Sequence, residues 1–158
     1  MSEAEGERMG VATALVRSSF LVNAVYAESS REHGLTPQQG QLLCVLMPRP
    51  YGMSELGGVL GLAKSSLTGL VDRSAQRGLV RREPDPEDAR AVRVALTSEG
   101  ARLAKEFYAE TTRRVESLAE NLDETDRRVL SALLARVVFD NKVPVVFMDF
   151  GAAPPAQS

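Results

Sequence analysis

One short stretch of the chain combines side chains that could bind the phosphates and bases of duplex DNA. It contains an amine, three hydroxyls and a glycine, in the order Lys64, Ser65, Ser66, Thr68 and Gly69. Short hydroxyl side chains let a helix approach groove edges closely, and the N–H groups of a first helical turn favour a phosphate. The same hydroxyls could instead cap the helix, and Ser65 and Ser66 are both candidates for that role.

Positive charge continues past this stretch, although the whole chain is slightly acidic. Residues 64–93 contain seven basic and five acidic side chains, a local balance of +2 within a chain of net charge −2. Bases that reach phosphates supply most of the non-specific affinity of a DNA-binding protein. A solvated helix and hairpin would carry similar charges, so charge alone leaves both interpretations open. The basic residues are Lys64, Arg73, Arg77, Arg81, Arg82, Arg90 and Arg93.

The sequence RREPDPEDARAVRV, at residues 81–94, predicts a rigid loop that presents an arginine. Two prolines stiffen this loop, and Asp85 and Asp88 can accept hydrogen bonds from its N–H groups. Arg90 follows near the start of the return strand, where Asp88 could hold its guanidinium in place. A positioned arginine beside a rigid loop suits insertion into a narrow minor groove, where the negative potential is strongest. A soluble hairpin turn is the simpler alternative.

The elements that position these groups follow from apolar periodicity and from signals at helix ends. Thr36, Ser54 and Thr97 are the expected N-caps, and Gly34 and Gly78 are the expected C-terminal stops. We expect helices at about 11–33, 36–47, 53–61, 62–78, 97–122 and 123–143, and strands at about 79–82 and 91–96.

Two helices joined by a short turn and followed by a basic hairpin are typical of a winged helix-turn-helix domain. The sequence therefore predicts a mainly α fold with a small β-hairpin wing. We assign residues 1–158 to one domain, with the winged helix-turn-helix at about 36–97. N- and C-terminal dimerisation helices are expected at about 8–33 and 98–148, and residues 151–158 are expected to be a disordered tail.

Apolar stripes on the terminal helices favour self-association. Leu130, Leu133 and Leu134 share a helix face, and the sequence VPVVFMDF follows at residues 143–150. Together these segments offer more apolar surface than a small winged domain can cover, which usually means a partner. A monomer that folds its terminal helices back on itself is the alternative.

The residue types argue against an enzyme and against a metal or membrane protein. The single histidine and the single cysteine, His33 and Cys44, are far apart in sequence and suggest no nucleophile–base pair. Without a phosphate-binding loop or metal-ligand spacing, we expect no catalytic residue, no metal and no cofactor. The polar N-terminus is no signal peptide and no apolar run approaches the ~18 residues of a membrane span, so we expect a cytoplasmic protein. Cys44 lies in the apolar sequence LLCVL, which favours buried packing over redox activity.

Residues 62–100 closely resemble the helix-turn-helix and wing of the multiple antibiotic resistance regulator (MarR) family. The resemblance lies in VDR at 71–73, RGLV at 77–80, DPEDAR at 85–90 and LTSEG at 96–100. The sequence LTPQQGQLLCVL also resembles the second helix of the family, and the whole resemblance covers roughly residues 10–140.

The resemblance implies a sequence-specific DNA-binding transcriptional regulator, acting as a homodimeric repressor on a near-palindromic operator. Ser65, Ser66 and Thr68 are then expected in the major groove and Arg90 in the minor groove. Lys64, Arg73 and Arg77 would contact mainly phosphates, although Arg77 lies farthest from the start of the helix. Arg82 and Asp88 complete the expected DNA-binding set.

The resemblance also implies a small aromatic or anionic effector bound between the dimer helices and the winged domain. Arg17, Tyr26 and His33 are the candidate pocket residues. Tyr26 lies on an apolar stripe and His33 lies near a helix C-terminus, so core packing and a favourable dipole contact are the alternatives.

Three residues depart from the family pattern. Ala89 replaces a common arginine in the wing, Gly69 replaces a larger and often basic residue, and Ser74 replaces a usual leucine. Gly69 and Ala89 favour the alternative function, a winged-helix protein–protein interaction module without specific DNA binding. The intact set of Lys64, Ser65, Ser66, Arg73 and Arg90 argues against it.

Overall fold

Helices form most of the molecule, and a small sheet provides the wing. The computed structural model describes residues 9–143, which form six α-helices and one antiparallel sheet of three strands. The expected fold class, mainly α with a β-hairpin wing, is confirmed. In chain order the elements are α1 (Val11–Glu32), α2 (Pro37–Leu46), β1 (Tyr51–Gly52), α3 (Met53–Leu60), α4 (Lys64–Gln76), β2 (Val80–Pro84), β3 (Val92–Leu96), α5 (Ser98–Ser117) and α6 (Glu124–Asp140).

Local signals end and begin most helices where the sequence predicts. Thr36 starts α2 with a capping box, in which its hydroxyl accepts the Gln39 N–H and the Gln39 side chain accepts the Thr36 N–H, both at 3.1 Å. Gly34, Gly61 and Gly78 have φ angles of 67°, 65° and 72°, in the left-handed region that favours glycine. These glycines end α1, α3 and α4 and turn the chain into the next element.

A third strand, which the sequence analysis missed, moves the start of α3. Tyr51 and Gly52 form β1 and pair with β3, so the strand order is β1-β3-β2. Gly52 is therefore the N-cap of α3, and the helix begins at Met53 without a side-chain cap. The prediction that Ser54 caps this helix is wrong, because Ser54 already lies inside the first turn.

The core lies where α2, α4, α5 and the sheet meet. Cys44 belongs to it with 4% of its surface exposed, which confirms the packing interpretation, and burial raises the pKa of its thiol to about 12. Ser74 is fully buried, and its hydroxyl finds no hydrogen-bond partner between residues 9 and 143. The largest apolar side chains that are fully buried are Leu42, Leu43, Val45, Leu56, Leu67, Leu70, Val71, Val94 and Phe107.

The segment from Leu96 to Gly100 joins the wing to α5 through a close backbone contact. Thr97 donates its hydroxyl to the Gly78 carbonyl at 2.5 Å and accepts the Gly100 N–H at 3.0 Å, which confirms it as the N-cap of α5. A Cβ added at Gly100 would lie 1.8 Å from the Leu79 carbonyl oxygen, so only glycine fits. The sequences RGLV and LTSEG thus form one joint between α4, the hairpin and α5.

Helix α6 and the first half of α1 leave their apolar side chains uncovered in the single chain. No residue of α6 is buried, and its Leu133 and Phe139 are 51% and 66% exposed. Phe20 of α1 is 71% exposed. Most of the apolar segment VPVVFMDF, and the expected tail at 151–158, lie outside the described residues. Between residues 9 and 143, no helix is long and apolar enough to cross a membrane.

Candidate nucleic-acid interface

Helix α4 presents a polar first turn to solvent. Its N-cap is Ala63, which offers no side-chain oxygen, and Ser65 and Ser66 are exposed within the first turn. The alternative that one of these serines caps the helix is therefore wrong. The opposite face of α4 is fixed, because Leu67 and Leu70 are buried in the core. The two hydroxyls are thus held outward on a packed helix.

The side chain of Thr68 is partly committed to its own helix. Its hydroxyl donates to the Lys64 carbonyl at 2.8 Å, a contact between adjacent turns. The oxygen retains acceptor capacity, and the methyl group can contact the methyl group of a thymine. Lys64 itself is exposed at the start of the helix. This turn of α4 therefore offers both a cation and short groups suited to a groove.

Carboxylates hold the backbone at the tip of the wing. Asp85 accepts a hydrogen bond from the Glu87 N–H at 2.9 Å, and Asp88 accepts one from the Arg90 N–H at 3.0 Å. These contacts confirm that both acids brace the loop. The expectation that Asp88 holds the guanidinium of Arg90 is wrong, because the contact of Asp88 is with the backbone. The tip is fixed and the Arg90 side chain stays exposed.

The structure divides the basic residues of the segment into paired and unpaired groups. Arg82 pairs with Asp72 at 2.6 Å, which joins the wing to α4. Arg93 and Arg81 pair with Glu83 at 2.6 and 3.2 Å, and the hydrogen bond from Arg93 is the main cause that lowers the pKa of this carboxyl.

Within residues 9–143, no ion pair or side-chain hydrogen bond engages the charged groups of Lys64, Arg73 and Arg90. The unpaired charges lie on α4 and at the wing tip, where a DNA backbone would need them.

Arg77 is exposed, but its side chain is directed toward the turn between α1 and α2 and away from the first turn of α4. It is the C-cap of this helix, and its Nη1 donates to the Gly34 carbonyl at 2.6 Å and to Gln39 Oε1 at 3.1 Å. These bonds tie the end of α4 to the turn between α1 and α2. The geometry therefore does not bring Arg77 together with Lys64, and its contacts favour a structural role.

The three candidate ligand residues do not converge within one chain. Tyr26 and His33 both set their rings edge-on to Phe107, with centroids 6.2 and 5.7 Å apart, and His33 Nδ1 donates to the Ser29 carbonyl at 2.7 Å. Desolvation is the main cause that raises the pKa of Tyr26 above its usual value. Arg17 is exposed and lies nine residues before Tyr26, on the opposite side of a helix with about 3.6 residues per turn.

A cavity of about 340 Å³ lies between β1 and the wing tip. Arg49 lines this cavity and belongs to no motif in the sequence. It forms a two-point contact with Glu55 at 3.0 Å and stacks over the Tyr51 ring at 3.9 Å. Only pairing between β1 and β3 brings these residues beside the wing. The cavity is lined by Arg49, Pro50, Gly52, Glu55, Asp85, Pro86, Glu87 and Arg93. Throughout the described residues, no cluster of His, Cys, Asp and Glu could hold a metal ion.

Known proteins with this fold and sequence pattern are regulators of transcription. A protein-family model described as MarR family matches residues 33–91. The HTH-type transcriptional regulator PecS of Dickeya dadantii is 30% identical over 135 residues, which cover 83% of this chain and 81% of the relative. This similarity extends well beyond the winged hairpin.

Two solved structures of MarR from E. coli show the same fold. The apo form matches with a TM-score of 0.73 at 25% sequence identity and covers 82% of this chain and 98% of its own. A variant complexed with operator DNA matches with a TM-score of 0.68 at 25% identity and covers 87% of this chain and 99% of its own.

Proposed function

Because the chain belongs to the MarR family of DNA-binding transcriptional regulators, we propose that it is a homodimeric repressor of a near-palindromic operator, released by a small molecule. The observation that carries this proposal is the set of unpaired cations and outward hydroxyls on one helix and one loop. A MarR variant of the same fold has been crystallised with operator DNA, which supports DNA binding as the use of this fold.

Each group on this surface receives a role that fits its chemistry. Ser65, Ser66 and Thr68 lie in the major groove, where hydroxyls can donate to or accept from base edges. Lys64 and Arg73 neutralise phosphates, and Arg90 enters the minor groove at the end of its braced loop.

Three further residues of the expected set support the interface indirectly. Asp88 shapes the loop that carries Arg90, through the backbone N–H of that residue. Arg82 orients the wing against α4 through its pair with Asp72, and its remaining N–H groups can reach a phosphate. Arg77 stabilises the end of α4, and we give it no direct phosphate contact.

Self-association explains the uncovered faces of the terminal helices. The apolar residues of α6 recur at helical spacing and none is buried, so the helix gains little stability within one chain. Pairing with a second copy would cover this face and the exposed start of α1. It would also place two α4 helices for two half-sites of one operator.

The effector site is proposed where α1 meets α5. The edge-on contacts of Tyr26 and His33 with Phe107 form an aromatic wall beside the expected dimer helices. A small aromatic or anionic molecule would lower DNA affinity if it bound more tightly to a dimer in which the two α4 helices are spaced wrongly for DNA. The loss of DNA affinity is limited by the difference between the affinities of the molecule for the two arrangements. Arg17 lies on the opposite side of α1 from Tyr26, so it can contribute to such a site only from that other face of the helix. We propose no enzymatic activity and no cofactor, and a cytoplasmic location.

A protein–protein interaction module is the second candidate function. Gly69 and Ala89 favour it, because each removes a larger side chain from the DNA-facing surface. The unpaired state of Lys64, Arg73 and Arg90 weighs against it, since cations that can reach phosphates supply affinity for DNA.

Selection of binding sites from a pool of duplexes with a randomised centre distinguishes the two functions. We expect enrichment of a sequence with two inverted half-sites separated by about one helical turn. Recovery of random sequences after several rounds would favour the interaction module. A reporter gene with the selected site across its promoter then tests repression, and addition of candidate aromatic acids tests release.

A further inference from the structure

Three residues at intervals of four form a stripe along the exposed face of α4. Ser65, Gly69 and Arg73 follow one another with about one helical turn between neighbours. The stripe faces away from the core, because the buried positions of α4 lie on the other side, at Leu67, Leu70, Val71 and Ser74. It is therefore the part of α4 that a major groove would meet.

The guanidinium of Arg73 occupies the space that a side chain at position 69 would fill. A Cβ built on Gly69 would lie 2.9 Å from Arg73 Nη1, 3.8 Å from Cζ and 3.9 Å from Nη2. Helical side chains slant toward the N-terminus, so the long side chain of Arg73 reaches back over the preceding turn. The positive charge is thus delivered nearer to Ser65 than the position of Arg73 in the sequence indicates.

The charge delivered there is not neutralised by its neighbours. Asp72, the adjacent acid, is paired with Arg82 at 2.6 Å. Among the described residues, none donates to or accepts from the guanidinium of Arg73 in a hydrogen bond or ion pair. The N–H groups of Arg73 therefore remain free to bond a ligand in the groove.

We propose that Arg73 is a specificity-determining residue that bonds a guanine through the gap left by Gly69. This inference rests on the proposed DNA-binding function and changes the role of Arg73 from phosphate contact to base recognition. The flat fork of a guanidinium matches the N7 and O6 acceptors of guanine, and this geometry needs close approach to the base edge. Gly69 permits that approach, so the residue that departs from the family pattern acts together with Arg73.

The two roles of Arg73 make different predictions for DNA binding. Loss of a phosphate contact weakens binding to all sequences about equally. It also reduces the slope of log affinity against log salt concentration by about one. A lost base contact mainly weakens the preferred sequence and removes the preference at one base pair of each half-site. The Arg73→Lys variant keeps the charge without the fork, so it separates these effects.

Fluorescence anisotropy on the selected duplex tests the proposal with Arg73→Ala, Arg73→Lys, Gly69→Ala and the Gly69→Ala/Arg73→Ala double variant. Each is titrated with the selected duplex, with duplexes that carry one changed G·C pair per half-site, and with random duplex. Gly58→Ala is the matched control, because Gly58 also lies in a helix and a Cβ there meets nothing within 4 Å. Circular dichroism checks that every variant is folded.

We expect Arg73→Lys to lose about tenfold in affinity for the selected duplex and less than about twofold for random duplex. The affinity of the selected duplex should then no longer depend on one G·C pair. Gly69→Ala should bind the selected duplex more weakly than the wild type does, because the added methyl group displaces the guanidinium of Arg73. The Gly69→Ala/Arg73→Ala double variant should bind this duplex with the same affinity as Arg73→Ala alone. Gly58→Ala should bind as the wild type does.

Two results would overturn the proposal while leaving the proposed function intact. One is an equal loss on selected and random duplexes in Arg73→Ala, with unchanged affinities in Arg73→Lys. The other is an equal loss from Gly69→Ala in the presence and absence of Arg73, which would show that the two residues act independently. A wild-type protein that selects no sequence would instead contradict the proposed function itself.

Discussion

Single side chains at the candidate interface are distinguished by what already binds them. The sequence offers seven basic residues between positions 64 and 93, but types alone cannot separate those that act on DNA from those that hold the fold. The structure pairs Arg82 with Asp72 and directs Arg77 to a backbone carbonyl. Lys64, Arg73 and Arg90 remain free to exchange water for phosphate or groove contacts, and they are the side chains whose loss should weaken DNA binding most.

Replacement of Arg90 by alanine should weaken binding to the selected duplex by about 1–3 kcal/mol. The loss follows because the braced loop fixes the backbone of Arg90 at the wing tip, from which the exposed guanidinium can enter a narrow minor groove. Arg102→Ala is the control, since it removes the same charge from α5, which begins at the end of the hairpin opposite the tip. Anisotropy titrations of both variants check the prediction, and an unchanged affinity of Arg90→Ala would remove the wing tip from the proposed interface.

Cys44 should resist modification in the folded protein. Its thiol is buried and its pKa is raised to about 12, so almost no thiolate forms at pH 8. The rate of alkylation by iodoacetamide should rise by at least about a hundredfold when urea unfolds the chain. Equal rates with and without urea would show that the thiol is accessible.

The raised pKa of Cys44 also sets the sign of a stability change at high pH. Below the pKa of the unfolded thiol, both states hold the proton and the free energy of unfolding is unaffected. Above it the unfolded state releases its proton first, so the stability should fall as pH rises toward 12. Urea titrations of the wild type and of Cys44→Ala at pH 8 and pH 10 check this, since the variant should lose less stability between them.

At the scale of elements, local signals predicted the helix ends and long-range pairing decided the rest. Thr36, Gly34 and Gly78 act through bonds and backbone angles within their own turns, so the sequence was sufficient to identify them. Strand β1 is two residues long and exists only because β3 pairs with it, and periodicity cannot reveal such a strand. The same pairing made the Ser54 prediction wrong.

The candidate site shows the same division between local and long-range information. The hydroxyls of α4 and the position of Arg90 follow from the pattern of one helix and one hairpin. The partners of Arg77 lie at Gly34 and Gln39, far away in sequence, and nothing near Arg77 indicates them. Contacts between elements such as these are therefore visible only in the structure.

The joint between the hairpin and α5 should be intolerant of a single methyl group. Gly100→Ala should lower the free energy of unfolding by about 3 kcal/mol, because a Cβ there would lie 1.8 Å from the Leu79 carbonyl oxygen and the backbone must move. Gly58→Ala is the control and should be neutral or stabilising by up to about 1 kcal/mol. Urea denaturation measures both, and a stability of Gly100→Ala equal to that of the wild type would contradict this contact.

In the whole molecule, the single chain leaves apolar faces of its terminal helices exposed. The winged domain has a buried core, whereas α6 buries no residue and the start of α1 carries exposed apolar side chains. Both surfaces belong to the terminal helices and lie outside the DNA-binding elements. This division fits a molecule in which terminal helices bind a second copy and the winged domains bind DNA.

A charge on the apolar stripe of α6 should disrupt the proposed dimer. Leu134→Glu places a carboxylate where the second copy would exclude water, and the sedimenting mass should fall from that of two chains to that of one. Ala132→Glu adds the same charge about half a turn away on α6 and should remain dimeric. Sedimentation velocity measures both variants, and a dimeric Leu134→Glu protein would exclude this stripe from the interface.

The central claim is that the unpaired charges and hydroxyls of α4 and the wing recognise one DNA sequence. The most direct test is an anisotropy titration of the wild-type protein with duplex from upstream of its own gene, at several salt concentrations and with random duplex as competitor. We expect tight binding that resists the competitor and weakens steeply with salt. Weak binding, no better than that to random duplex, would contradict the claim and direct the search to a protein partner.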